Sequence, residues 1–257
     1  MLKRRLIPKL QLKRASRDGA YELVTTIGFD RVIRIGEPVS QAKIYQAQNV
    51  DELIFVDLDS ERPGPELTAL LQRTTENIFM PITIGGGVKT VEDVQLLLSN
   101  GADKVAINRE ALLHPPLITE AAGVFGNQCI VVSVDFRKKD HGYRVFFDRG
   151  RQDAGRDLIE WAGECEDRGA GELLLTSIDR DGSKSGLELE AIQLVTERVS
   201  IPVIAGGGCG TASHFVEGLA AGADAIAAGT FFCHHDQNPM QCRAQIKNAG
   251  FPIRLNM

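Results

Sequence analysis

Asp135 closes a very apolar run, Ile130-Val131-Val132-Ser133-Val134-Asp135. Burial at such a position raises a carboxyl pKa toward general acid–base work; capping the following turn is the plainer use of the same residue. Asp181, in Asp179-Arg180-Asp181-Gly182, either orients substrate hydroxyls or N–H groups or forms an ordinary Asp-Gly turn. Asp57 and Asp59 end another run and are weaker candidates of the same kind. Two glycine triplets, Gly85-Gly86-Gly87 and Gly206-Gly207-Gly208, can turn backbone N–H groups toward an anion with no Cβ in the way. Each alone reads equally well as a tight turn. The next apolar runs end at Asn108-Arg109 and Gly229-Thr230, where a helix start adds donors and dipole. His141 falls in a polar turn, and His234-His235 follows the last run. With no Cys or Glu at ligand spacing, neither a metal site nor a cofactor is expected. No Ser-His-Asp arrangement is visible.

The elements that must position these groups are short aliphatic runs. They lie at 6–12, 53–57, 82–84, 105–107, 130–135, 173–176, 203–205 and 225–228, as expected of strands buried on both faces. Amphipathic stretches lie between them. One of these, Thr90 to Leu98, opens on a Thr N-cap with Asp93 at N3 and stops at Asn100-Gly101. The alternation predicts a single (β/α)8 TIM barrel over 1–257; an open doubly wound sheet is the other architecture it allows. A repeat sharpens the choice. Met80-Pro81-Ile82-Thr83-Ile84-Gly85 and Ile201-Pro202-Val203-Ile204-Ala205-Gly206 correspond, and Gly101-Ala102-Asp103 and Gly222-Ala223-Asp224 match at the same spacing. Two half-barrels, about 1–123 and 124–257, account for this. The triplets then sit at equivalent places on the face where barrel enzymes bind ligands, which favours two phosphate cradles over two turns. Gln11 is the counterpart of Asp135 in the first half. Its amide exchanges no proton at neutral pH but can hydrogen-bond a substrate.

The 257 residues carry a net charge of −5, which argues against nucleic acid or an acidic membrane as partner. Five cysteines without a CxxC pair read as thiols of a reducing compartment. The basic N-terminus is interrupted too early for a signal peptide, and no run of apolar residues is long enough to span a bilayer. A cytoplasmic location is expected. Arg5, Glu52, Lys104 and Glu172 each immediately precede a predicted strand, at the barrel end opposite the cradles. Such charges form either solvated salt bridges or a polar gate around the axis.

Several segments resemble the cyclase subunit of imidazole glycerol phosphate synthase. They include Arg4-Arg5-Leu6-Ile7-Pro8, Asp51-Glu52-Leu53-Ile54-Phe55-Val56-Asp57, Gly85-Gly86-Gly87-Val88 and Gly101-Ala102-Asp103-Lys104-Val105-Ala106-Ile107-Asn108. The most specific is Gly169 to Gly182, with Leu173-Leu174-Leu175-Thr176-Ser177-Ile178-Asp179-Arg180-Asp181 at its centre. The resemblance implies a heterodimer with a glutaminase subunit docked at the barrel bottom, and ammonia passing through the barrel to a phosphorylated substrate. It implies that Arg5, Glu52, Lys104 and Glu172 gate the ammonia and that Asp103 lies at the docking face. It also implies phosphate binding at Gly86, Gly87, Asn108, Gly207 and Gly208, with Gly229 and Thr230 at the last phosphate position. Asp135 matches one catalytic aspartate.

The chain departs from that pattern at telling places. Gln11 stands where the family has its other catalytic aspartate. The first loop, Arg14 to Gly28, is longer than expected and has Thr25 nearest the position of the family's Lys; Phe136-Arg137-Lys138 replaces a small-residue continuation. Losing one member of an acid–base pair costs about 10²–10⁴-fold, so weak histidine-pathway cyclase activity is expected. The resemblance extends to a branch, also lacking the first aspartate, that is linked to converting acetamido into acetamidino sugars in surface-polysaccharide synthesis. The expected substrate is then a phosphorylated small molecule or nucleotide sugar. The alternatives are an authentic histidine-pathway cyclase and a non-catalytic scaffold that activates a glutaminase.

Overall fold

Short aliphatic strands with both faces apolar gain most by closing on themselves, since every backbone donor is then paired and both faces are covered. The computed structural model, describing residues 3–15, 19–140, 142–233 and 239–254, has this form. Its strands are β1 (Arg5–Arg14), β2 (Tyr21–Ile27), β3 (Arg31–Gly36), β4 (Leu53–Asp57), β5 (Ile82–Gly85), β6 (Lys104–Ile107), β7 (Ile130–Lys139), β8 (Gly142–Phe147), β9 (Gln152–Asp157), β10 (Glu172–Ser177), β11 (Val203–Gly206) and β12 (Ala225–Ala228). The parallel ring β1-β4-β5-β6-β7-β10-β11-β12 closes through β12 against β1. Helices connect the strands on the outside. The architecture is a (β/α)8 barrel, and the open sheet is excluded.

Local sequence explains the connections. In the helix Val91–Ser99, Thr90 Oγ1 accepts from Asp93 N–H while the Asp93 carboxylate accepts from Thr90 N–H, the capping box expected from the residue types. At the barrel bottom one device recurs. Asp51, Asp103 and Asp224, each just before a strand, accept from the backbone N–H of Leu6, Ile82 and Val203 at 2.8, 2.8 and 3.1 Å. Each fixes the start of the neighbouring strand.

Two segments differ from the sequence-based expectation. The expected long first loop is largely strand: β1 runs on to Arg14, and β2 and β3 form an antiparallel hairpin on it. The reason is the β-branched stretch Tyr21-Glu22-Leu23-Val24-Thr25-Thr26-Ile27, which buries Leu23 and Val24. Likewise β7 continues past Asp135 because Phe136 packs edge-on against Tyr143, and β8 and β9 extend it antiparallel. Both hairpins rise from the C-terminal ends of barrel strands. His141 and the His234-His235 pair lie outside the described residues.

Arg243, on the helix Pro239–Asn248, forms a buried ion pair with Asp51 at 2.9 Å, and its guanidinium also reaches the Asn49 and Arg254 carbonyls. Burial pushes the Asp51 carboxyl upward and Arg243 pulls it back. Removing one member strands the other charge. Arg243→Ala should lower stability by about 3–5 kcal/mol, while Arg243→Met combined with Asp51→Leu should cost clearly less. Urea unfolding of both variants checks this.

Candidate active site at the barrel mouth

Inside a closed barrel, side chains at alternate positions of each strand fill the lumen. At the bottom, Arg5 bonds Glu52 at 2.8 Å and Glu172 at 2.9 Å, and Lys104 bonds both glutamates at 3.1 Å. The four expected gate residues therefore form one ring of alternating charge. Thr83 adds a hydrogen bond to Glu52 at 2.7 Å. Burial works against the Arg5 charge, but Glu172 and Glu52 outweigh it and raise the pKa. Above this ring lies an apolar layer containing Ile7, Ile54, Val131, Leu174 and Ile204. Asp103 is exposed beside the ring and spends one oxygen on Ile82 N–H.

The top of the lumen is polar. Burial raises the Asp135 carboxyl to about 6; Lys9 pulls it down, Asp181 pushes it up, and a hydrogen bond from Asn108 lowers it. Burial also raises Asp181, against Lys9, Thr26 and the Phe29 N–H. Lys9 has a place in the lumen that its residue type does not announce. It stands two residues before Gln11, so strand alternation puts both on one face. Its ammonium crosses the lumen to Thr176 Oγ1 at 2.9 Å. Gln11 Nε2 donates to Thr26 Oγ1 at 2.9 Å, and Thr26 donates to Asp181 at 2.7 Å. The tip of the β2–β3 hairpin is thereby tied to the loop after β10, with Gly28 N–H on the Asp181 carbonyl at 3.0 Å.

Two cavities share Lys9 and Gln11. The larger, of about 450 Å³, is lined by Asp135, Asn108, Gly86 and Gly87. The smaller, of about 20 Å³, is lined by Asp181, Gly207, Gly208, Gly229 and Thr230. It has room for little more than a water; Thr25 and Thr230, both in its lining, meet Oγ1 to Oγ1 at 3.2 Å. The glycines also have a packing reason. A Cβ on Gly86 would meet the Asp57 carbonyl at 2.4 Å, and one on Gly207 the Ser177 carbonyl at 2.5 Å, both at positive φ. The Asn108 side chain also has partners within the protein. Its Nδ2 is spent on the Ser133 carbonyl at 2.8 Å and on Asp135 at 3.1 Å, so it positions the carboxylate. Asp57 accepts from Tyr21 and from the N–H groups of Asp59 and Ser60, and Asp59 accepts from the Arg14 N–H. Both are loop supports. Among the described residues no group of His, Cys, Asp and Glu is arranged to hold a metal, and no helix is long and apolar enough to cross a membrane.

Comparison with known proteins fits this geometry. The family described as histidine biosynthesis protein matches residues 6–238. A Prochlorococcus marinus protein provisionally named imidazole glycerol phosphate synthase subunit hisF2 is 50% identical over 99% of both chains. Imidazole glycerol phosphate synthase subunit HisF of Gluconacetobacter diazotrophicus is 41% identical over 99% of this chain and 97% of its own. The subunit HisF of Streptococcus sanguinis is 40% identical over 99% of this chain and all of its own.

The Asp135 environment sets a pH dependence. The folded protein holds this proton to about pH 6, whereas an unfolded Asp releases it near 3.8. The folded state therefore binds the extra proton and loses stability as pH rises between those values. Asp135→Asn should gain on the order of 2 kcal/mol relative to wild type between pH 4 and pH 8. Chemical denaturation at the two pH values checks it. Lys9→Met should move the Asp135 midpoint still higher in a carboxyl ¹³C titration.

Proposed function

Because the chain belongs to the histidine biosynthesis protein family and is a HisF-like relative of the imidazole glycerol phosphate synthase cyclase subunits, we propose that it accepts ammonia through its barrel and transfers the nitrogen at the mouth to an acetamido sugar. Ammonia comes from a glutaminase subunit docked at the bottom, against the face that carries Asp103. The ring of Arg5, Glu52, Lys104 and Glu172 admits it, and the apolar layer passes only the neutral molecule, since an ion would have to shed its hydration there. At the mouth the nitrogen adds to the acetamido carbonyl carbon and water leaves, giving the acetamidino group. Asp135 is the acid–base residue, with a pKa near 6 suited to exchanging protons close to neutrality. The sugar's phosphate lies against Gly86 and Gly87 in the larger cavity. Gly207, Gly208, Gly229 and Thr230 receive a second phosphate only if the hairpin lifts from Thr230.

The observation that carries this reading is at position 11. An amide fixed by Thr26 stands where a two-carboxylate cyclase needs an aspartate, while the four-charge ring below is complete. The second reading, an authentic histidine-pathway cyclase, is favoured by Asp181, which couples electrostatically to Asp135 and is placed to serve as the second carboxyl.

The phosphoribulosyl imidazole-carboxamide substrate, offered with ammonium salts, separates the two. The sugar reading expects turnover at least 10²-fold below a two-aspartate cyclase, partly recovered by Gln11→Asp. Strong turnover of the unmodified protein would favour the cyclase. In a complex with the glutaminase, Glu52→Lys should abolish glutamine-dependent transfer and spare the ammonium-dependent reaction.

A further inference from the structure

The turn between β8 and β9 is strained, and what holds it lies outside its own hairpin. Asp148, Arg149 and Gly150 follow one another at φ of 50°, 59° and 71°. Residues other than glycine seldom adopt that region, and such strain persists only where the surroundings fix it. Here two contacts do so. Asp148 pairs with Arg109 at 3.3 Å. Arg149 Nη2 donates to the Leu58 carbonyl, and to Asp59 at 3.4 Å. Strand register shows what lies between these anchors. In the barrel β5 pairs with β4 through Gly85 and Val56, and with β6 through Gly85 and Ala106. Leu58 and Asp59 therefore leave the barrel on one side of Gly86-Gly87, and Asn108-Arg109 on the other. The turn touches both sides at once, as a strap across the first glycine triplet.

Arg109 and Arg149 line the larger cavity together with Gly86 and Gly87. Their side chains are 55% and 46% exposed, so an ion from solution can reach them. Each is held by one long ion pair, a contact worth little at an exposed site. Each carboxylate in those pairs carries a single charge. A phosphate monoester carries nearly two at neutral pH and accepts the guanidinium fork through two oxygens. We infer that Arg109 and Arg149 are the phosphate clamp of the larger cavity. When a phosphate settles on Gly86-Gly87, both guanidinium groups exchange Asp148 and Asp59 for its oxygens, and the turn is then anchored through the ligand. The arginines are substrate-binding residues. Asp148 and Asp59 are positioning residues that hold them over the triplet and compete with the ligand. The inference rests on the reading of this cavity as the place of the substrate's phosphate. It adds that the site selects a doubly charged phosphate over a singly charged carboxylate.

The experiment titrates inorganic phosphate and acetate separately into the ¹⁵N-labelled full chain at constant ionic strength, following the Gly86 and Gly87 amides. Phosphate should shift both signals and bind about tenfold more tightly than acetate. Arg109→Gln and Arg149→Gln should each weaken phosphate about tenfold; thermal melts check that these exposed substitutions leave the fold intact. Asp59→Asn should tighten phosphate about threefold by itself and not at all in combination with Arg149→Gln. Asp148→Asn should behave in the same way with Arg109→Gln. A carboxylate acting only as a distant charge would give the same gain in both backgrounds, so additive effects overturn the exchange. If phosphate shifts Gly86 and Gly87 with equal affinity in the arginine variants, the clamp falls and the substrate-site reading stands. If the arginine variants weaken phosphate but the two glycines never respond, the clamp stands and the glycine cradle is removed. A wild-type protein that binds no phosphate overturns both.

Discussion

A ring of eight parallel strands leaves an interior only wide enough for side chains, and each strand contributes to it at every second residue. That constraint orders the molecule. Arg5, Ile7, Lys9 and Gln11 are successive inward positions of β1, and they read from bottom to top as charge, hydrocarbon, charge and amide. The other strands supply the partners at the same heights: Glu52, Lys104 and Glu172 for Arg5, Ile54 and Leu174 for Ile7, and Thr176 and Asp135 for Lys9. No layer is satisfied by one strand alone. The charges at either end are tolerable because each faces opposite charge or a hydrogen-bond partner across the lumen.

Much of this was legible in the residues. The eight aliphatic runs, the repeated glycines and the charges preceding four strands all map onto the barrel, because burial on both faces leaves an unmistakable aliphatic signature. Asp135 was visible for the same reason: a carboxyl at the end of such a run has nowhere to go but the mouth. Lys9 was not, since between Pro8 and Leu10 a lysine reads as an edge or solvent residue. Only the register of Lys9 with Gln11, and the arrival of Thr176 from across the barrel, give it a role. The hairpins escaped too. Polar residues around Arg14 and Gly19 mask the strand character of Tyr21–Ile27, although the pairing that makes it a strand is local, with the end of β1 on one side and β3 on the other. Asn108 shows a subtler limit: residue type and position suggested anion binding, and nothing in them announced that its side-chain amide also bonds Asp135.

The two glycine triplets have a packing reason that stands apart from any ligand. Each lies where the loop after the preceding barrel strand presses close, so glycine is required before any ligand is considered. On the proposed function the same lack of a side chain would let backbone N–H groups meet a phosphate. The halves nevertheless differ in use. Beside the second triplet the hairpin on β1 is tied down through Thr25 and Thr26, to Thr230 and Asp181, while the first triplet lines the larger cavity.

The apolar layer between the two charged levels also acts on protons. Hydrocarbon side chains offer no hydrogen-bonded relay for a proton. On the proposed function, ammonia crossing from the lower ring would leave its proton there, making the bottom of the barrel the acidic side of each transfer and the mouth the basic side. The nitrogen would then arrive beside Asp135 unprotonated, and the protons it later sheds would leave through the mouth, past a carboxyl that burial raises to about 6.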